Sequence, residues 1–497
     1  MSLISVSNLS FAYDGSYDYI FQNVSFQMDT DWKLGFTGRN GRGKTTFMNL
    51  LLGKYEYTGS IAASVDFEYF PYEVADKTCS TMDVLLSVSP DAEYWQIARE
   101  LNRLETEEDI LWRPYNTLSN GEQTKVLLAA MFLRENSFLL IDEPTNHLDM
   151  HGRELVSRYL NSKKGFILVS HDRVFLDGCI DHILSINRGN IEIQRGNFSS
   201  WWDNKERQDR FELSENEKLK KEISHLQTAA KEHNAWGNRA ESDKKGGDPM
   251  DTDNKMGRGP NQGAKAAKQM RRVKALEART QSAIEEKSSL LKNVEYQAEL
   301  KLTQLEYHTK RLLELKDVSV SYGSTPVCSG VSFCVEAGDR IALCGKNGCG
   351  KSSLIRLICG ENIPHTGQTD IGSRLKISLV SQDASGITGS LAEYARLFDI
   401  DESLFKAILI KLNFSRSQFE KDMKAFSAGQ KKKVLIARSL CEKAHLHIWD
   451  EPMNYIDVIS RMQIEDMILQ FHPTLLFVEH DRAFTDRIAT KKVLLGR

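Results

Sequence analysis

The sequence predicts an α/β fold made twice: two tandem parallel-sheet domains joined by a long α-helical hairpin. Three observations carry that prediction. First, long segments recur. GRNGRGKTT at Gly38–Thr46 returns as GKNGCGKSS at Gly345–Ser353, and LSNGEQ at Leu118–Gln123 as FSAGQK at Phe426–Lys431. FLLIDEPTNHLD at Phe138–Asp149 returns as HLHIWDEPMNYID at His445–Asp457, and ILVSHDR, ending at Arg173, as LFVEHDR, ending at Arg482. The spacing barely drifts: 307 residues from Lys44 to Lys351, 308 from Glu143 to Glu451, and 309 from His171 to His480. Second, in each repeat an apolar strand (Leu34–Thr37; Ile341–Cys344) runs into a glycine loop and then an apolar helix. Third, the segment between the repeats is polar, rich in Lys, Glu, Gln and Ala, and helical in pattern from Trp201 to about Tyr307.

These observations set the domain bounds at 1–200, 201–311 and 312–497. In the middle segment Leu219, Ile223 and Leu226 fall at i, i+4, i+7. On the return, Val273, Leu276, Thr280, Ala283, Lys287, Leu290 and Val294 alternate three and four apart, a heptad seam with one charge in it. Gly246, Gly247, Pro249, Gly257, Gly259, Pro260 and Gly263 break helix between the arms, which puts the tip at about 240–263. A helix from Trp202 to Arg239 would reach about 55 Å at 1.5 Å per residue.

Composition narrows the class. With 497 residues, 41% hydrophobic, 27% charged and only 10 Pro, the chain is neither disordered nor collagenous. No run approaches the about 18 consecutive apolar residues of a membrane span. The N-terminus MSLISVSNLSFAYD lacks the basic and apolar regions of a secretion signal, so a cytoplasmic protein without membrane partners is expected. The eight cysteines include no C-x-x-C pair and read as small core residues. The net charge of −3, from 65 basic and 68 acidic residues, gives no global sign of nucleic acid.

The glycine loops point to phosphate. Glycine lets backbone N–H groups curl round an anion, and the following helix N-terminus adds its dipole. The candidate phosphate residues are Gly38, Asn40, Gly41, Gly43, Lys44, Thr45 and Thr46, with Gly345, Asn347, Gly348, Gly350, Lys351, Ser352 and Ser353 in the second repeat. Lys44 and Lys351 supply point charges for the β/γ-phosphates, and the Thr45 and Ser352 hydroxyls can ligate Mg²⁺. Asp142 and Asp450 end apolar strands, where an acid beside a nucleotide can hold Mg²⁺ through water. Glu143 and Glu451 follow them and can polarise an attacking water. His171 and His480 each follow another apolar strand at a matched distance, as expected of a γ-phosphate contact. His445 and His447 form an H-x-H pair without a carboxylate partner in the motif, which fits strand packing better than a metal.

This constellation resembles the ATP-binding-cassette ATPases almost end to end in both repeats. Its most specific part is the signature, here Ser119-Asn120-Gly121-Glu122-Gln123 and Ser427-Ala428-Gly429-Gln430. A hydroxyl and a glycine at a helix start make a second anion-binding end. The resemblance implies two head-to-tail sites: Lys44, Glu143 and His171 with Ser427 and Gly429, and Lys351, Glu451 and His480 with Ser119 and Gly121. It implies ATP and Mg²⁺ as cofactors and a functional monomer whose two cassettes pair within the chain. Tyr13 and Tyr322 precede their loops at similar intervals and are either adenine-stacking residues or ordinary strand tyrosines. The family's glutamine after the third strand, a metal- and water-sensing residue, is matched by Gln382. The first repeat has Tyr72 there instead. Phe426 stands in place of the usual signature leucine.

Tandem cassettes joined by a helical linker are similar to the ABC-F proteins, which act on ribosomes. RGNFSSWWDNKERQDRFE at Arg195–Glu212 resembles that family's approach to its linker. Both repeats are compact between loop and signature, 75 residues from Lys44 to Ser119 and 76 from Lys351 to Ser427. The first therefore has no room for the arm of the housekeeping factors. Only seventeen residues follow His480. The pattern most resembles the antibiotic-resistance proteins of the Lsa and Vga type. That likeness implies a linker placed in the ribosomal E site, near large-subunit rRNA, the peptidyl-transferase centre and P-site tRNA. The expected protection is against lincosamides, pleuromutilins and streptogramin A. Within Lys255–Arg279, Lys255, Arg258, Lys265, Lys268, Arg271, Arg272, Lys274 and Arg279 face one acid, Glu277: either a phosphate footprint or a solvated helix face. Met250 and Met256 are the large apolar residues of the tip, contacts for RNA or drug or simply exposed. A housekeeping ABC-F translation factor and the soluble ATPase of a membrane exporter remain the alternatives.

Overall fold

The computed structural model describes residues 2–13, 19–146, 148–187, 190–245, 305–322, 325–346 and 348–496. Two compact units result, one of residues 1–201 with 298–497 and one of residues 202–297.

In the first repeat β1 (Leu3–Phe11), β2 (Phe21–Asp29) and β4 (Thr58–Ala62) make an antiparallel sheet in the order β2-β1-β4. The mostly parallel sheet is built from β3 (Lys33–Thr37), β5 (Asp66–Phe70), β6 (Ser137–Asp142), β7 (Phe166–Val169), β8 (His182–Asn187) and β9 (Asn190–Arg195), ordered β5-β6-β7-β3-β8-β9. All its pairs are parallel except β8–β9. Phe166, Ile167, Leu168 and Val169 are each buried, so β7 reads as a continuous apolar run. That is the pattern of a strand covered on both faces.

The second repeat copies this plan. β10 (Arg311–Tyr322), β11 (Thr325–Glu336) and β13 (His365–Ile371) form the antiparallel sheet. β12 (Arg340–Cys344), β14 (Ile377–Val380), β15 (Leu446–Asp450), β16 (Leu475–Val478) and β17 (Lys491–Leu494) form the parallel one, ordered β14-β15-β16-β12-β17. The fully buried Trp449 and Phe477 centre its core. Registers coincide between repeats: Asp142 pairs with Val169 and Asp450 with Val478. Phe70 pairs with Ile141 and Val380 with Trp449, so Tyr72 and Gln382 each stand two residues past equivalent strand ends.

Within 202–297 the described structure is a single helix, the continuation of Phe198–Lys245. At 48 residues it spans about 70 Å. Ala240–Lys245 are still helical, the helix running through Gly237, where the tip was expected to begin at about Ala240. The return arm, Met250, Met256 and the basic residues Lys255, Arg258, Lys265, Lys268, Arg271, Arg272, Lys274 and Arg279 lie outside the described residues. Among those described, no helix is long and apolar enough to cross a membrane.

Candidate functional site

Each glycine loop turns on backbone that only glycine adopts cheaply. Gly41 and Gly43 have φ 78° and 96°, Gly348 and Gly350 φ 77° and 91°, and the helices Lys44–Leu51 and Lys351–Ile358 start immediately after. Lys44 Nζ donates to the carbonyl of Gly38 (2.7 Å), and Lys351 Nζ to those of Gly345 and Lys346 (both 2.9 Å). Each ammonium thus lies inside the loop it follows. Burial pulls the Lys44 ammonium below its ordinary range, opposed by Asp457, Glu143 and Asp142. Tyr13 Oη lies 2.8 Å from Thr46 Oγ1, and Tyr322 Oη donates to Ser353 Oγ at 3.2 Å. Both rings are therefore tied to the loop helix with large exposed faces, 43% and 48% accessible. Asn347 lies outside the described residues.

The strand-end acids differ between the repeats. Tyr69 Oη donates to Asp142 Oδ2 at 2.9 Å. In the second repeat Gln382 Nε2 and Asn454 Nδ2 donate to Glu451 Oε2 at 2.8 and 2.7 Å. His171 Nε2 lies 3.3 Å from Glu143 Oε1 and His480 Nε2 3.6 Å from Glu451 Oε1, ion-pair distances without hydrogen-bond alignment. Burial, then the Asp142 charge, pushes the Glu143 carboxyl up to about 8. Burial also acts on Glu451, but His480, Gln382 and Asn454 outweigh it and hold that carboxyl below its ordinary value. His171 is driven well below its ordinary range by burial and then by the Lys44 and Arg461 charges, so it is neutral.

Both glutamates adopt a left-handed backbone, φ 49° at Glu143 and 47° at Glu451, which L-residues with side chains rarely take. Each is held there by its N–H bonding across to the carbonyl of Val169 (2.9 Å) or Val478 (3.0 Å). Sequence reasoning missed this turn, together with Tyr69 and Asn454. The recurrence of Asn in EPTN and EPMN was a usable signal for Asn454; Tyr69, inside a strand, offered none.

The signatures begin helices. Ser119 caps Asn120–Met131 by accepting from Glu122 N, and Ser427 caps Ala428–Cys441 by accepting from Gln430 N, both at 3.3 Å. Gly121 lies in the first turn of its helix, as Gly429 does. The structure brings Gly429 to the first glycine loop: a Cβ there would lie 2.3 Å from the Tyr455 carbonyl and 3.4 Å from Asn40 Nδ2. Asn40 Nδ2 donates to that carbonyl at 3.0 Å, and Arg39 Nη1 to Asn413 Oδ1 at 2.5 Å. Lys433 braces this face through Asp457 (2.9 Å) and the Leu412 carbonyl (3.0 Å). On the other side Arg482 Nη1 reaches Glu154 Oε1 at 2.9 Å, and Arg173 bonds Glu465. Phe198 and Trp201 share a small cavity with Lys44, His171 and Val458.

The donor set suits a hard cation and a phosphate chain. Asp450 holds the Ser352 hydroxyl and keeps a buried Oδ1 without a hydrogen-bond partner. Thr45 is exposed beside Lys44, and among the described residues no atom beyond the chain neighbours lies within 4 Å of a Cβ built on Gly41 or Gly348. These residues fit Mg²⁺ and a nucleotide. His445 and His447 are engaged otherwise. His445 Nδ1 accepts from Lys376 N at 2.9 Å, and His447 Nδ1 lies 3.1 Å from Ser439 Oγ.

The ABC transporter family matches residues 21–146 and 328–454. The putative ATP-binding protein YdiF of Bacillus subtilis is 26% identical, with 100% of this chain and 80% of that one covered. The ribosome protection protein VmlR of the same organism is 25% identical over 99% of this chain and 87% of its own. The energy-dependent translational throttle protein EttA of Escherichia coli K12 is 26% identical over 95% and 88%. In fold, the archaeal ribosome recycling factor aABCE1, solved with the ribosomal stalk protein aP1, aligns with a TM-score of 0.65. It shares 18% identity and covers 98% of this chain and 87% of its own.

Proposed function

From the premise that this chain belongs to the ABC transporter family and is an ABC-F ATPase, its two domains matched at residues 21–146 and 328–454, we propose that it is an ATP-driven translation factor of the ribosome. The observation that carries the ribosome is the breadth of the likeness. Similarity to EttA and VmlR extends over 95% and 99% of the chain, linker included.

In this reading each glycine loop and its lysine, Lys44 or Lys351, bind the ATP phosphates. Thr45 with Asp142, and Ser352 with Asp450 and Gln382, hold Mg²⁺, which offsets phosphate charge when bound. Glu143 and Glu451 orient water and take its proton; His171 and His480 contact the γ-phosphate. Ser427 and Gly429 complete the first site from across the interface, which the approach of Gly429 to Asn40 supports. Ser119 and Gly121 complete the second. Tyr13 and Tyr322 stack on adenine. ATP then holds the two cassettes together, and the linker, 201–311, meets large-subunit rRNA near the E site and the peptidyl-transferase centre, beside P-site tRNA. Lys255, Arg258, Lys265, Lys268, Arg271, Arg272 and Lys274 contact phosphates there.

A second reading is protection of the ribosome from peptidyl-transferase-centre antibiotics. Two observations favour it: the likeness to VmlR and the 75 residues between Lys44 and Ser119, too few for an inserted arm. A reconstituted translation reaction separates the readings. A housekeeping factor changes drug-free synthesis in an ATP-dependent way and leaves lincosamide inhibition intact. A protection protein restores synthesis only when the drug is present. No effect in either reaction would refute both.

A further inference from the structure

Where the repeats otherwise match, two buried neutral residues of the first are replaced in the second by charges. Thr124, five residues after Ser119, corresponds to Lys432, five after Ser427; Ser170, just before His171, corresponds to Glu479, just before His480. Lys432 and Glu479 are 1% and 5% exposed. Burying an ammonium and a carboxylate is costly unless bonds compensate. Here the bonds go to the loops that carry the chemistry.

Lys432 Nζ donates to the carbonyls of Ser381 (2.8 Å) and Asp450 (3.4 Å). These residues immediately precede Gln382 and Glu451, whose side chains bond each other at 2.8 Å. Glu479 Oε1 accepts from the backbone N–H of His480 (2.8 Å) and Asp481 (3.3 Å), and its Oε2 from that of Met453 (3.1 Å). Met453 precedes Asn454, the second donor to Glu451. In the first repeat the same space holds a Thr145–Ser170 hydroxyl contact of 3.2 Å, with Tyr72 in place of the glutamine. Burial draws the Lys432 ammonium down to about 8, and Glu479 does most to oppose it, followed by Asp450, Glu451 and Asp383.

We propose that Lys432 and Glu479 are positioning residues that fix Gln382, Glu451 and His480 of the second repeat in one hydrolytic arrangement, leaving the first repeat as the slower site. The proposal rests on the reading of Glu451 as the water-activating group.

The test uses the full chain carrying Glu143→Gln, so that turnover reports the second site. Two double variants remove the charges together and avoid a lone buried ion: Lys432→Thr with Glu479→Ser, which installs the first repeat's residues, and the near-isosteric Lys432→Met with Glu479→Gln. ADP binding and thermal melting report folding. The expected result is a kcat roughly 10- to 100-fold lower, the scale of a misplaced catalytic group, with KM for ATP within about twofold. Wild-type kcat in either double variant that still binds ADP would overturn the proposal. Glu451→Gln in the same background separates the two claims. Loss of turnover there, with active double variants, refutes only the positioning role. Persistent turnover there refutes the assignment of Glu451 and the proposal with it.

Discussion

Gly429→Ala perturbs the contact between the two cassettes from within the second one, where Gly429 packs on the Tyr455 carbonyl. Gly429 lies in the first turn of a helix, so alanine suits its backbone and improves intrinsic helix propensity by about 1 kcal/mol. The added methyl, however, would sit 2.3 Å from the Tyr455 carbonyl oxygen. Ordinary C···O contact needs about 1 Å more. That displacement would stretch the 3.0 Å bond from Asn40 Nδ2 to the same carbonyl beyond hydrogen-bond range. Losing such a bond costs about 1 kcal/mol, and displacing the packed loop adds to it, so ATP-dependent closure should weaken roughly 5- to 20-fold. The assay pairs thermal melting without nucleotide against the ATP concentration dependence of hydrolysis. A modestly lowered Tm with a clearly raised ATP requirement is expected. Wild-type ATP dependence would refute the reasoning. A collapsed Tm would show that Gly429 serves the fold of its own repeat.

Tyr69→Phe removes the hydroxyl that donates to Asp142 and should weaken Mg²⁺-dependent nucleotide binding at the first site by roughly 3- to 10-fold, as about 1 kcal/mol implies. Titrating Mg²⁺ against a fluorescent ATP analogue in the Glu451→Gln background checks it. His447 supplies an acid limb. Burial holds it at about 4 in the folded chain against 6.5 for an ordinary histidine, so the unfolded chain binds the extra proton between those values. Stability is then intact above about pH 6.5 and falls as pH drops towards 4, by on the order of 3 kcal/mol in all. His447→Asn should flatten that limb in urea midpoints, and an unaltered limb would acquit His447. Replacing Arg271 should reduce the salt slope of ribosome binding by about 1, while an unchanged slope would mark it as a solvated residue.

Much of the fold was legible because both repeats print the same strand–loop–helix signals, and glycines, capping serines and strand-end acids each have one good structural use. The strand bounds shift by a residue, Lys33 for Leu34 and Arg340 for Ile341, because strand ends are set by pairing rather than composition. Less legible were features made by the third dimension. The left-handed turn at Glu143 and Glu451 depends on a bond to a strand distant in sequence. Tyr72 was visible as a departure from Gln382, yet the hydroxyl that reaches the acid pair belongs to Tyr69, one residue inside the strand end. Lys432 and Glu479 look like ordinary surface charges in KKKV and VEHD. Only packing shows them buried behind the second site.

The central claim is that ATP drives this chain onto ribosomes. The most direct measurement is co-sedimentation of the Glu143→Gln, Glu451→Gln variant with purified ribosomes, in ATP and in ADP. If Glu143 and Glu451 activate water as proposed, removing both carboxylates should slow turnover by about 10²–10⁴-fold, so the ATP-bound state accumulates. The variant is expected in the ribosomal pellet with ATP, in the supernatant with ADP, and released as salt rises. Equal pelleting with both nucleotides, or none with either, would contradict the claim.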